Sequence, residues 1–258
     1  MEVHHHAHTA ADPDSHRGRK KWTHYFWEFL MLFLAVFCGF FAENQREHMI
    51  EHQREKRYMA SMLEDLRADT TSLNQTILRA IAMEQGFDSL RNYLFDIENI
   101  ENNASIIYCQ NAAYTRNIIP TLNDQTSTQL RNSGAMRLIR KKNVANAISL
   151  YWGNSVNMMN TATNFNDFIA EKSKSEDLIF NRKFYIRLSR NPATTLDVYF
   201  NNTEARLMTS DKNLLISYAN YTDRLQKFIG QYITPQLYKL KLSATDLIDL
   251  IKKEYHLK

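Results

Sequence analysis

A cluster of histidines near the N-terminus contains residues of a type that could bind a metal ion. The N-terminal stretch contains His4, His5, His6 and His8, and imidazole side chains are common ligands of zinc, nickel and copper. These four residues are therefore the candidate metal ligands of the sequence. Their spacing fixes no coordination geometry, so we interpret residues 1–20 as a disordered cytoplasmic tail and predict no metal site and no cofactor.

A second histidine pair lies further along the chain. His48, Glu51 and His52 follow the order HxxEH, which occurs in inverted zinc peptidases. Such a site needs a packed helix and a downstream carboxylate ligand, whereas this segment is highly charged and follows an apolar run. Nucleophile elbows, P-loops, dinucleotide-binding glycine motifs and EF-hand loops are also missing from the sequence. We therefore predict no catalytic residue and expect that the protein is not an enzyme.

Glu28 is an acidic residue at the start of a long apolar run. Every residue from Phe29 to Ala42 is apolar or glycine. With the extension back to Trp22, the run has about 21 residues, enough at about 1.5 Å per residue to cross a hydrocarbon core of about 30 Å. The sequence predicts an uncleaved transmembrane helix over residues 21–43.

The predicted span carries candidate interaction residues. An ionisable group within a span costs about 2.5–3.5 kcal/mol at mid-bilayer and less near the ends. Glu28 therefore either reaches water and the lysines at the interface or contacts a partner inside the membrane. Ala35, Gly39 and Ala42 form a face of small residues that would allow a second helix to approach closely. A protein partner or a homo-oligomer would follow from such contacts.

The charges that flank the span predict its orientation. A basic cluster without acidic residues directly precedes it: Arg17, Arg19, Lys20 and Lys21. By the positive-inside rule the N-terminus is cytoplasmic, and residues from about 45 onward lie outside the cytoplasm.

Composition predicts an all-α protein with a single span. Only 6 glycines and 4 prolines occur among 258 residues, which favours long helices. The mean hydropathy of −0.48 is too polar for a multi-span transporter. The net charge of +4 is spread over interleaved acidic and basic residues, so we expect no nucleic-acid partner. Two cysteines, Cys38 and Cys109, make no disulfide framework.

The apolar pattern after the span predicts a charged helical stalk over 44–58 and an α-helical domain over 59–258. The domain begins with a seam of helical, heptad-like spacing, which either forms a coiled coil with a second copy or packs against the domain's own helices. The members of this seam are Met59, Met62, Leu66, Thr70, Leu73, Ile77, Ala80 and Glu84.

Further helices are expected along the domain, with ends marked by capping residues. Thr126 is the predicted N-cap of a short helix over 127–132, and Gly134 is its predicted left-handed stop and a further candidate interaction residue. Asp211 is the predicted cap of a long helix that Pro235 interrupts. The remaining predicted elements are helices over 104–117, from 143 toward 171 and from 243 onward, a non-helical stretch over 189–195 and an extended piece over 197–201.

Two sequence motifs carry a resemblance to a known family. Glu28 opens the apolar run, and Ala42-Glu43-Asn44-Gln45-Arg46 follows it. A second motif has matching order and spacing at Leu130, Ser133, Gly134, Met136, Arg137, Leu138, Ile139, Val144, Ile148, Tyr151 and Trp152. The pattern resembles a Bacteroidota family of uncharacterised, single-span, membrane-anchored α-helical proteins, over most of residues 20–152.

The departures from the family pattern are Ala35 in place of its first glycine and Trp152 in place of its second tyrosine. The resemblance implies a bacterial inner-membrane protein with no assigned reaction. Together with the orientation predicted from the flanking charges, this places the main domain in the periplasm. The sequence favours a non-enzymatic anchored protein that binds a partner or assembles in the cell envelope. The alternative is a sensor-like extracytoplasmic domain that binds a small ligand and acts through a partner protein.

Overall fold

The computed structural model describes residues 18–113, 118–184 and 205–257. In this part of the chain the regular structure is entirely helical, which confirms the predicted all-α class. The α-helices are α1 (Gly18–Phe95), α2 (Ala104–Ala113), α3 (Gln125–Asn132), α4 (Lys142–Ile179), α5 (Lys212–Phe228) and α6 (Thr234–Tyr255). Two short 3₁₀ turns, Ala135–Leu138 and Arg182–Phe184, and a π turn, Ile229–Ile233, complete the set.

The chain divides into two compact units between Arg54 and Glu55, and α1 contributes to both. In the first unit, α1 begins at Gly18, three residues before the predicted start of the span, because the basic residues there are good helix formers. Most apolar side chains of this unit are exposed, with Trp22 at 77% and Phe40 at 72%. Among the described residues, α1 is the one helix long and apolar enough to cross a membrane.

The second unit has its core along the C-terminal part of α1. Six members of the predicted seam are buried there: Met59, Met62, Leu66, Leu73, Ile77 and Ala80. They belong to one apolar cluster with residues of α2 to α6. The seam therefore packs against the domain's own helices, and the structure gives the coiled-coil interpretation no support. The unit begins at Glu55, four residues before the predicted boundary, because the Glu55 side chain is itself buried.

The short helices around α3 correct one predicted cap. α3 begins at Gln125, and Thr126 lies buried inside it, so Thr126 is not the N-cap. The backbone N–H of Thr126 instead donates to the carboxylate of Asp65 on α1. Gly134 follows α3 with φ +67° and ψ 14°, which confirms the predicted left-handed glycine. α2 is described from Ala104 to Ala113, and the last residues of its predicted extent lie outside the described part.

The C-terminal half is an antiparallel arrangement of long helices. α4 runs to Ile179, beyond the predicted end, and packs against α5, the π turn and α6. The Asp211 side chain accepts a hydrogen bond from Asn213 N (2.9 Å), which confirms the predicted cap. The predicted segments 189–195 and 197–201 lie outside the described residues.

The predicted interruption at Pro235 is wrong. Helical backbone continues from α5 through the π turn into α6, where Pro235 is the second residue. Proline lacks the N–H of an α-helical hydrogen bond and clashes with the carbonyl four residues earlier. The wider π turn directly before Pro235 relieves that conflict. The last helix therefore begins at Thr234 and not at the predicted residue 243.

Candidate functional site

Four of the predicted interaction residues lie on α1 in the first unit. Glu28, Ala35 and Ala42 are seven residues apart and therefore share one helix face, with Gly39 close beside it. All four are exposed. The Glu28 carboxylate lies 3.6 Å from Nδ1 of His24, which is one turn before it. A Cβ added at Gly39 would meet no other atom within 4 Å, so this face is open in the single chain.

The predicted metal ligands do not form a described site. His4, His5, His6 and His8 lie outside the described residues. Within the part of the chain that the structure does describe, no group of three or more His, Cys, Asp or Glu side chains could hold a metal ion.

Among its described residues the second unit contains three buried polar clusters, and sequence reasoning identified none of them. In the first, two aspartates of α1 bind the segment that leads into α3. Asp65 accepts hydrogen bonds from Asn123 Nδ2 (2.6 Å) and Thr126 N (3.1 Å). Asp69 accepts from Asn123 N (2.6 Å) and from the Tyr151 hydroxyl (2.5 Å). Burial raises the pKa of Asp69, although both hydrogen bonds oppose the rise, and burial beside that carboxylate raises the pKa of Tyr151.

The second cluster surrounds a lysine whose side chain is 0% exposed. The ammonium of Lys172 donates to Asn111 Oδ1 (2.6 Å) and forms an ion pair with Glu176. The Tyr218 hydroxyl lies 2.7 Å from the same Asn111 oxygen and 3.1 Å from Glu176 Oε1. The ring centroids of Tyr218 and Phe87 are 4.9 and 5.8 Å from the ammonium. Burial lowers the pKa of Lys172, and Glu176 counteracts that effect.

The third cluster joins both ends of the second unit. Glu55 on α1 is 1% exposed. Its Oε1 accepts hydrogen bonds from Arg140 N (2.8 Å) and from the Tyr255 hydroxyl (2.5 Å). Burial, together with that bond, raises the pKa of Tyr255. In all three clusters the titratable groups are hydrogen-bonded within the fold, and all of them except the partly exposed Glu176 are buried.

An accessible concave surface of the second unit lies along α4. A polar cavity of about 330 Å³ lies between α4 and α6, and its lining is rich in uncharged amides. The lining residues are Asn154, Asn157, Asn160, Thr161, Asn164, Gln236 and Lys239. The Thr161 hydroxyl lies 2.8 Å from Gln236 Oε1 and connects the two helices.

An aromatic cavity of about 230 Å³ lies between α4 and α5. The rings of Phe168 and Tyr232 both pack on Phe228, each with its centroid 5.2 Å away. Phe168 and Tyr232 nevertheless remain 39% and 53% exposed. The remaining lining residues are Tyr221, Arg224, Leu225 and Lys227.

The two cavities follow one another along the same helices. Asn164 of the polar cavity and Phe168 of the aromatic cavity are one turn apart on α4. Tyr232 and Gln236 are likewise four residues apart across the start of α6. We call this continuous surface, lined by the residues of both cavities, the α4 groove. Gly134 is exposed in the same unit and is not among the residues of the groove.

Known proteins give no family for this chain. No protein-family model matches it, and no curated protein or solved structure matches it either.

Proposed function

We propose that this chain is a single-pass membrane protein whose helical domain binds a protein partner outside the cytoplasm, and that it catalyses no reaction itself. The observation that supports the membrane anchor is the exposure of the apolar part of α1. In the most apolar 18-residue window of this helix, no residue is buried inside the chain. Such a surface is unfavourable in water and favourable in lipid.

The proposed location is the bacterial inner membrane, with a cytoplasmic N-terminus and a periplasmic domain. The basic cluster before the span supports this orientation, because lysine and arginine are retained on the cytoplasmic side. The resemblance of the two sequence motifs to the Bacteroidota family supports the same placement.

Binding, rather than catalysis, is favoured by how the second unit uses its polar groups. The most deeply buried ionisable side chains, among them Glu55, Asp69 and Lys172, are bonded within the fold. The α4 groove, in contrast, presents amide and aromatic side chains to solvent. Such a surface suits recognition, since it offers hydrogen bonds and apolar area without a reactive group.

Cysteine labelling tests the anchor and its orientation. Both native cysteines are replaced by alanine, and single cysteines are introduced at Ser15 or at Asn166, which is exposed on α4. In intact spheroplasts we expect an impermeant maleimide to label Asn166→Cys and to spare Ser15→Cys until the membrane is permeabilised. The reverse pattern would place the domain in the cytosol, and release of the protein by carbonate washing would overturn the anchor.

Co-purification tests partner binding. The full-length protein is crosslinked in its native membranes, extracted in mild detergent and compared with an unrelated single-span protein at equal abundance. We expect a protein recovered in a fixed ratio that the control does not recover. Recovery of the same set of proteins by both would contradict the proposed function.

A further inference from the structure

We propose that the α4 groove binds an extended, acidic peptide segment of a partner protein, with one apolar side chain of that segment inserted in the aromatic cavity. This inference rests on the proposed function and adds the chemistry of the partner. It follows from the amides, the cavity and the charges of the groove.

The amides of the groove match a peptide backbone. An asparagine side chain offers both donors and an acceptor, which pair with the C=O and N–H of an extended chain. The side-chain amides of Asn157, Asn160 and Asn164 are exposed and make no hydrogen bond within the described residues. Asn157 and Asn164 are separated by about 10 Å along α4, which is about three residues of extended chain.

The aromatic cavity supplies the anchor. Its volume of about 230 Å³ suits a single large apolar side chain. The rings of Phe168, Phe228 and Tyr232 surround it, and an apolar side chain inserted between aromatic walls is a typical centre of binding energy. Because Phe168 lies one turn beyond Asn164, the anchor would be adjacent to the backbone-binding amides.

The charges of the groove favour an acidic segment. No aspartate or glutamate is among the residues that line either cavity, whereas Arg224, Lys227 and Lys239 are. Lys227 is paired with Asp223 (2.7 Å). Arg224 stacks on the ring of Tyr221 at 4.6 Å. In the described part of the chain neither Arg224 nor Lys239 has a carboxylate partner, so both can bind acidic side chains.

The length of the groove sets the length of the segment. From Asn154 to Phe168 the surface extends about 21 Å at 1.5 Å per residue, which corresponds to about six residues of extended peptide. This is an ordinary length for a linear recognition segment.

The test uses the full-length protein in lipid nanodiscs and fluorescein-labelled heptapeptide pools, with binding measured by fluorescence anisotropy. The first pool has phenylalanine, leucine or methionine at its centre and aspartate or glutamate elsewhere. The second pool has the same centres with lysine elsewhere, and the third has acidic flanks with glycine at the centre. We expect the first pool to bind at least about tenfold more tightly than either of the others.

Variants connect the binding to the groove. Asn157→Ala/Asn164→Ala and, separately, Arg224→Glu should each weaken binding of the first pool about tenfold or more. Asn166→Ala, on an exposed position of α4 outside the groove, should bind as the wild type does. Circular dichroism spectra and melting curves show whether each variant retains its helical structure.

Equal binding of the acidic and basic pools, or unchanged binding by the groove variants, would overturn the proposal. Competition by chitotetraose at similar concentration would show instead that the groove takes an oligosaccharide. If co-purification recovers a partner while these peptide experiments fail, only the peptide proposal falls. If no partner is recovered and the acidic pool still binds, the peptide-binding proposal stands and the proposed binding of a partner in the membrane is contradicted.

Discussion

Lys172 is a buried cation, and a buried charge is stable only when the surrounding groups pair with it or donate and accept hydrogen bonds. Its ammonium has a carboxylate, an amide oxygen and two aromatic rings around it. Removing one member of a buried ion pair is strongly destabilising, because the other charge stays desolvated. We expect Lys172→Met to destabilise the second unit by about 3–5 kcal/mol and to lower its melting temperature by about 6–20 °C. Thermal melting of the full-length protein in mild detergent measures this.

The double variant Lys172→Met/Glu176→Leu is the control for that result. It removes both charges and should recover a large part of the lost stability, since a buried ion pair can often be replaced by apolar side chains of similar volume. A melting temperature unchanged by Lys172→Met alone would mean that the lysine is hydrated in the folded protein.

Gly134 tests backbone geometry at a single residue. Its φ of +67° is unfavourable for side chains branched at Cβ, whereas a Cβ there would meet no atom within 4 Å. Gly134→Val should therefore cost about 1–3 kcal/mol through backbone strain alone. Gly134→Asn should cost less, because asparagine tolerates the left-handed region. Equal melting temperatures for the two variants would contradict this explanation.

At the scale of a whole element, α1 carries the small-residue face that predicts self-association. A Cβ added at Gly39 would meet no other atom within 4 Å, so the effect of a larger side chain there is expected to report on contacts with a second molecule. We expect Gly39→Leu to reduce crosslinking of the protein to itself in native membranes, because close helix approach depends on small residues.

Phe37→Leu is the control for Gly39→Leu, since Phe37 is also exposed on α1 and lies two residues from Gly39, on the opposite side of the helix. It should crosslink as the wild type does. If the wild type crosslinks to itself no more than an unrelated single-span protein, the predicted homo-oligomer is wrong. The interfacial interpretation of Glu28 would then be the better one.

Elements whose signal is local could be predicted from the sequence. The buried seam of α1 follows from helical spacing alone, and the Asp211 cap and the left-handed Gly134 follow from residue types at helix ends. The prediction at Pro235 was wrong because proline ends or kinks a regular α-helix, whereas the backbone before Pro235 is a π turn. The π turn that accommodates it has no sequence signal that we recognised.

The polar clusters could not be predicted, because each joins residues distant in sequence. Glu55 belongs to the charged run Arg54–Arg57, which is typical of a solvated helix. Its burial depends on Tyr255, two hundred residues away. Lys172 likewise lies in a polar stretch. Besides Glu176 on the same helix, its partners come from α1, α2 and α5. The asparagines of α4 are spaced by three or four residues, which indicates that they share one helix face. The sequence does not show that α6 lies beside that face and forms the other wall of the groove.

At the scale of the whole molecule, Glu55 marks where the folded domain begins. Its carboxylate binds the backbone before α4 and the last turn of α6. A truncated protein that starts at residue 51 keeps these bonds, and one that starts at the predicted boundary, residue 59, loses both. Hydrogen bonds to a charged group contribute about 1.5–3 kcal/mol each. We therefore expect the shorter protein to be less stable by about 3 kcal/mol or more.

Differential scanning calorimetry of the two truncated proteins measures this difference. With about 2–4 °C per kcal/mol for a domain of this size, the protein that starts at residue 59 should melt at least about 6 °C lower. Glu55→Ala in the longer protein should reproduce most of that loss, whereas Lys56→Ala, at an exposed neighbour, should not. Equal stability of the two proteins would show that the domain closes without Glu55. Light scattering on the longer protein then tells whether the second unit is monomeric without the span. A monomer would mean that any self-association needs the residues before 51, which include the apolar part of α1.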